Sequence, residues 1–278
     1  MSYLTEILSS RELLINLTRR EIQGKYKRTI FGQLWSLVNP LAMMLVYTLV
    51  FAFILRVQPD PGDPSGIDVF AVWLLCGLLP WTFFSSVVTS GMGSLVGNVG
   101  LIQKVYFSRI VLPVSAAASI AFNWAFEMGV LLVVLLVCGA FVLPWIPALI
   151  VIMALLAVFA IGIALMLSIA NVYFRDTQHL LAIVMQLWLY LTPVIYPISL
   201  LESQSDEIGG LWGSGVTLLD IYRLNPMERF TEVFRNVLYD NRWPEVGDVL
   251  YCVGAAAVSL AIGMFVFRRN EKKLAEAL

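Results

Sequence analysis

Few side chains in this sequence can do chemistry, and their positions are informative. One carboxylate, Glu127, stands near the middle of a long apolar run. Ser115, Ser119, Asn123 and Glu127 recur every four residues, so on a helix they form one polar stripe. Such a stripe faces a path or a subunit contact, or it joins neighbouring helices by hydrogen bonds. The second reading is preferred, because polar side chains inside apolar bundles commonly link helices. A proton-coupled carrier would keep several charges at mid-membrane rather than one. No G-x-x-x-x-G-K-[ST] phosphate loop occurs; Gly24-Lys25-Tyr26 lacks the leading glycine and the hydroxyl. H-E-x-x-H, G-x-S-x-G and paired-carboxylate patterns are also absent. Cys76, Cys138 and Cys252 sit in apolar runs without a CxxC pair, and the single His179 cannot build a zinc site with them.

Aromatic side chains are more plentiful, at 12% of residues with eight Trp. Trp35, Asn39, Val46 and Phe53 share one helical face, and Met185, Trp188, Thr192 and Tyr196 share another. The ordinary reading of any one ring is an interfacial belt or a core contact. A face of rings also suits a glycan, whose apolar sugar faces stack on them at many weak sites. Pro40, Pro193 and Pro197 interrupt helical hydrogen bonding and are candidate hinges.

The elements that must position these residues follow from composition. Hydrophobic residues make up 59% of the 278 and charged residues 13%, against about 45–50% and 25% in soluble domains. Mean hydropathy is +0.83. These values imply an all-α integral membrane protein. Spans need about 20 apolar residues, and six segments qualify: 31–55, 69–92, 111–142, 146–172, 179–199 and 246–267. We read 1–278 as one transmembrane domain: a segment 1–30, spans one to five over 31–199, an external loop 200–245, then the sixth span and tail over 246–278. The polar, basic first 30 residues argue against a cleavable signal peptide. Of the 18 Lys and Arg, 13 flank one side, in 1–30, 93–110, 173–178 and the tail. By the positive-inside rule both termini face the cytoplasm.

Two flanking helices are also expected. Ser9 and Glu12 fit a capping box ahead of Leu13, Leu14 and Leu17, which share a face. The basic run after them contains Arg19, Arg20, Lys25, Lys27 and Arg28, and the whole reads as an amphipathic helix in the membrane interface. In the external loop, Asn225 is a suitable N-cap, Pro226 a first helical residue and Glu228 the return of a capping box. Phe230, Val233, Phe234, Val237 and Leu238 follow at helical spacing, so this short helix either re-enters the membrane or caps the outer face. Nine acids between Glu202 and Asp248 read as a solvated face.

The run from Leu17 to Trp35, ending Val38-Asn39-Pro40, resembles the N-terminal signature of type-2 ABC exporter permeases of the polysaccharide, O-antigen, capsule and teichoic acid branch. Three further stretches are similar to that family: Leu101 to Pro113, Asn171-Val172-Tyr173-Phe174-Arg175-Asp176, and Leu224-Asn225-Pro226. Ser108 departs from the proline common there. The resemblance implies a homodimer of a permease in the bacterial plasma (inner) membrane, paired with two copies of a separate ATPase that binds ATP and Mg, with no cofactor on this chain. It implies a coupling helix within 97–108, with Leu101, Lys104, Tyr106, Phe107 and Arg109 toward the ATPase. The basic N-terminal residues would steer a lipid-linked pyrophosphate or bind anionic lipid. Trp35, Asn39, Phe53, Trp188, Thr192 and Tyr196 would line the path. Pro40, Glu127, Arg175, Asp176 and Pro193 would serve structure or gating, with Asp176 capping the fifth helix. Competing expectations are a drug or lipid exporter of the same superfamily and, from another class, a membrane enzyme acting on polyprenyl-linked sugars. A passive channel is disfavoured, and nothing points to nucleic acid.

Overall fold

An apolar run in a membrane folds as a helix because no water is present to satisfy free amides and carbonyls. The computed structural model has this form, and it describes residues 11–26, 29, 32–56, 59–105, 107–208, 217–271 and 274. Helix α1 is Arg11–Tyr26 and α2 is Trp35–Tyr47, entered by a 3-10 turn at Gly32–Leu34 and continued by π-helical turns over Thr48–Ile54. Then come α3 (Phe70–Gly97), the short α4 (Val99–Ile102), α5 (Val111–Val137), α6 (Ile146–Tyr173) and α7 (Thr177–Tyr190). Three shorter helices follow, α8 (Ile198–Ile208), α9 (Leu218–Arg223) and α10 (Pro226–Arg235), whose last turns widen over Asn236–Asp240. Helix α11 (Val246–Glu271) closes the described chain.

Among the described residues, five helices are long and apolar enough to cross a membrane: Gly32–Ile54, α3, α5, Leu143–Tyr173 and α11. The expected 179–199 span differs from them. Helix α7 stops at Tyr190 and turns follow to Pro197. Its 14 residues reach about 21 Å, short of the roughly 30 Å hydrocarbon layer. Pro193 supplies the reason, since it offers no N–H and its ring clashes with the carbonyl four residues back. Pro40, by contrast, lies inside a continuous α2 and does not stop it. Helix α5 ends five residues before the expected boundary at 142, because Gly139 turns the chain at φ +95°, a backbone state that glycine adopts readily.

Helix α3 is the buried centre. Of its most apolar stretch 78% is buried, against 6% for the first span. Around it pack α5, α6 and α10, whose Met227, Phe230, Val233 and Phe234 are all buried. Phe83 stacks on Trp124 at 3.9 Å, Phe84 on Phe159 at 5.5 Å, and Phe230 meets Phe159 at 5.5 Å. A second apolar cluster lies at the other end, where Leu17, Leu95, Ile102, Val111, Val172 and Phe267 meet. That places α1, α4 and the ends of four long helices together.

The tightest crossing is α6 against α11. A Cβ on Gly263 would overlap the Gly162 carbonyl, and one on Gly162 would overlap Ser259. The Ser259 hydroxyl donates to Phe159 O at 2.9 Å. Small residues allow two backbones this close, which is how helices associate where lipid removes the hydrophobic drive. Gly263→Val should therefore destabilise the fold by about 1–3 kcal/mol through overpacking. A thermal melt of the detergent-purified protein, read by its monodisperse fraction, checks this, with the outward-facing Val258→Ala as control.

Candidate functional site

Three groups of residues carry the expected function, and the structure places each differently. The first is the broken segment after α7. Its carbonyls lose their helical donors, and in an apolar surround each must find another. Arg235 supplies two: its guanidinium donates to Pro193 O at 2.7 Å and Val194 O at 2.8 Å. The same guanidinium lies 3.6 Å over the Trp73 ring, a cation–π contact. Asn225 does the rest. Its amide donates to Leu191 O at 3.2 Å and to the Thr192 hydroxyl at 2.9 Å. Its carbonyl oxygen accepts from the Trp188 indole at 2.8 Å and from Met227 N–H at 3.1 Å, which caps α10.

These contacts settle how α10 sits. Phe159 lies thirteen residues from the start of α6, and Trp124 thirteen from the end of α5. Phe230 and Phe234 of α10 touch those two rings. At 1.5 Å per residue that level is about 20 Å inside the helix ends. Helix α10 is thus inserted among the others rather than laid over them. The expected capping box differs too: Asn225 caps Met227, and Glu228 is buried beside Arg229 at 3.4 Å instead of returning the bond. Arg229 also pairs with the buried Asp248 of α11. The acids of this region are therefore not all a solvated face. A true capping box appears one helix earlier, between Thr217 and Asp220.

The expected path residues do not form one surface in a single chain. Trp35 and Asn39 line a cavity of about 360 Å³ against α3 and α5, with Lys25, Thr82, Asn123 and Glu127 on the other walls. Phe53 is 76% exposed at the end of the first span. Trp188 and Thr192 instead turn inward to Asn225, and the Tyr196 hydroxyl donates to Tyr190 O at 2.9 Å. In the polar stripe, the Ser115 and Ser119 hydroxyls donate back to their own helix. Ser119 also reaches Glu21 of α1 at 3.4 Å, and Glu127 opens on the cavity. The stripe thus partly joins helices and partly lines a space.

The third group lies at the end holding α1 and α4. Helix α1 packs along α5 with Leu17 buried. Arg20 donates to Asn98 Oδ1 at 2.8 Å, and Asn98 precedes α4, whose first amides its backbone carbonyl accepts. The Arg109 backbone N–H donates to Glu271 Oε1 at 3.1 Å, and its guanidinium to Glu271 O. Leu101 and Phe107 are half-buried, whereas Lys104 and Arg19 are exposed. Arg175 and Asp176 are exposed at the turn before α7. The Asp176 side chain makes no cap bond, and its backbone carbonyl takes the first amides instead. Ser9, Lys27, Arg28 and Tyr106 lie outside the described residues.

Sequence reasoning missed Arg235, Asn98, Asp248 and Glu271 as structural ties. A signal for Arg235 existed: it shares a helical stripe with Thr231 and Leu238, so its charge had to be buried. The ties of Asn98 and Glu271 join residues 78 and 162 positions apart, which no local pattern encodes.

Compared with known proteins, the ABC-2 type transporter family matches over residues 12–239. The chain is similar along nearly its whole length to the O-antigen export system permease protein RfbA of Myxococcus xanthus, at 28% identity over 273 residues and 98% of each chain. It is similar to RfbA of Klebsiella pneumoniae at 26% identity, covering 96% of this chain and 95% of that one. It is also similar to the polysialic acid transport protein KpsM of Escherichia coli at 24% identity, covering 92% of both.

Arg235→Met should destabilise the fold by about 3 kcal/mol or more, because two buried carbonyls lose their donors and α10 its anchor. Hydrogen exchange should rise first at residues 191–197, and Arg235→Lys should restore little of the loss, since an ammonium lacks the planar fork. The outer turn gives a pH test. Burial first, with Glu232 nearby adding to it, pushes the Asp240 carboxyl up to about 6, although Arg242 beside it and a backbone hydrogen bond from Asp63 work the other way. A raised carboxyl pKa stabilises the fold below the ordinary value of 3.8, and that stability is lost as pH rises through about 6. Melting temperature should fall over that window, and Asp240→Asn should flatten the fall.

Proposed function

We propose, from the premise that this chain belongs to the ABC-2 type transporter family, that it is the membrane-spanning permease of an ATP-driven exporter of cell-surface polysaccharide. The carrying observation is near-complete coverage of permeases named for O-antigen export. The chain is a transport subunit. With no phosphate loop in its 278 residues, it draws on a separate ATPase that binds ATP and Mg.

The mechanism proposed follows from the unequal packing. Helices α6 and α11, locked by the Gly162–Gly263 crossing, and α3, whose Gly91 packs on Ala164 of α6, form the fixed part. The first span is held weakly, and α7 ends in a break. Two chains would meet along these loosely packed elements, which leave Leu45, Leu49, Leu180, Ile183 and Leu187 exposed. Trp35, Asn39 and Phe53 would line the path between them, with Trp188, Thr192 and Tyr196 acting at its far end.

The ATPase would dock on the end carrying α1 and α4, which holds 13 of the 18 cations and so faces the cytoplasm in the bacterial inner membrane. Leu101, Lys104, Tyr106 and Phe107 would meet it. Arg20 and Asn98 would carry movement of α4 into α1. Arg109 positions the loop through Glu271 rather than meeting the ATPase directly. Arg19, Lys27 and Arg28 would attract the pyrophosphate of a lipid-linked glycan.

Depletion of this chain should remove surface polysaccharide and leave drug resistance unchanged. The purified chain alone should hydrolyse no ATP, and the ATPase complex should do so. Intact surface polysaccharide with lost drug resistance would instead assign a drug or lipid cargo. A single acid replaced in 202–248 that abolished the activity without unfolding the protein would favour the membrane enzyme.

A further inference from the structure

We infer that the groove between α6 and α11, beside the turn joining α9 to α10, binds one diacyl phospholipid, with its phosphate at Arg223 and Arg229 and one chain along the groove. The site lies on the locked helix pair, away from the first span and α7, and it stands whether or not the cargo is polysaccharide.

The groove has a volume of about 480 Å³. Phe159, Ile163 and Met166 of α6 line it together with Gly254, Ala255 and Val258 of α11, and Pro226 of α10 and Tyr251 complete the walls. Both hydroxyls on these walls are engaged: Ser259 donates to Phe159 O at 2.9 Å, and Tyr251 to Leu224 O at 2.7 Å. Water finds little to bind there, whereas a hydrocarbon chain gains contact along the walls. Val258 is exposed, and α6 and α11 are both long and apolar enough to span, so the groove opens on the bilayer.

Its depth suits a lipid. Helix α11 has 26 residues, about 39 Å against a hydrocarbon layer of about 30 Å. Tyr251 stands one turn into that helix and Ser259 at its middle. The groove therefore runs from near the edge of the hydrocarbon layer toward its centre, as an acyl chain does.

The Tyr251 end carries charge. The Arg229 guanidinium lies 5.9 Å over the Tyr251 ring, and its Nε donates to Arg223 O at 3.2 Å. Arg223 is exposed, and among the described residues its guanidinium makes no hydrogen bond or ion pair. The acids beside the two arginines are turned elsewhere. Glu228 and Asp248 are buried against Arg229, and Asp220 caps α9 with Thr217. A phosphodiester can meet the exposed guanidinium with charge-assisted hydrogen bonds, and basic pockets between spans take lipid headgroups. A charged mouth on an apolar groove fits an amphiphile. A carrier lipid must enter and leave, and α6 and α11 are the pair least able to part; a resident phospholipid needs no such movement.

The test is native mass spectrometry of the full-length protein released from detergent. It is titrated with phosphatidylglycerol and, separately, with diacylglycerol, which has the chains without the phosphate. One phosphatidylglycerol per chain should saturate first, about tenfold tighter than diacylglycerol. A Cβ at Gly254 meets nothing within 4 Å, so Gly254→Leu should fill the groove, leave the fold standing and weaken both lipids about tenfold. Arg223→Gln, at an exposed position, should weaken phosphatidylglycerol about fivefold and leave diacylglycerol unchanged. That variant decides the matter where Gly254→Leu fails to fold. Val137→Ala, exposed on α5, should change neither. No saturable lipid, equal binding by all variants, diacylglycerol as tight as phosphatidylglycerol, or displacement by a polyprenyl phosphate at comparable concentration would each overturn the inference.

Discussion

The structure depends on how the chain satisfies its backbone where α7 breaks. Three carbonyls between Leu191 and Val194 lose their helical donors inside an apolar surround, and Arg235 of α10 and its N-cap Asn225 supply donors to all three, Asn225 also donating to the Thr192 hydroxyl. Much of the outer half follows from that requirement. Helix α10 must lie among the other helices, because its donors have to reach the break. Its apolar face then packs on Phe159 and Trp124, and Arg229 pairs with Asp248. A buried arginine is tolerable here because its planar fork meets two carbonyls while its face lies on Trp73.

The opposite end is built differently. Two long-range ties, Arg20 to Asn98 and Arg109 to Glu271, gather α1, α4 and the end of α11 around one apolar cluster. The two ends therefore differ in kind. The one holding the break is pinned by buried hydrogen bonds, while the other is joined by charged side chains near the surface. Between them run a closely crossed pair, α6 and α11, and a first span with little to hold it. A transporter needs that division, since movement requires some helices to shift against others that do not.

Much of the architecture was legible in the sequence, and the parts that were not share a physical cause. Five of the six apolar runs became long helices near their expected bounds. The 179–199 run did not, because hydropathy measures transfer into lipid and says nothing about Pro193 freeing a carbonyl. Asn225 and Pro226 announced a helix start, yet not that the same amide would bind residues 33 to 37 positions away. The external cations seemed a uniform set, although Arg235 was to be buried and Arg242 left half exposed. Of the expected path residues, Trp35 and Asn39, which helical spacing put on one face, line the same cavity. The same rule could not tell that Trp188 and Thr192 would be turned toward α10.

The central claim is that the weakly held first span, rather than the locked α6–α11 pair, meets the moving glycan. A photoreactive phenylalanine analogue at Phe53, illuminated in cells exporting polysaccharide with the ATPase present, tests it most directly. A glycan adduct at Phe53 with none at Val258 on the outward face of α11 is the predicted result. Adducts at Val258 with none at Phe53 would contradict the account.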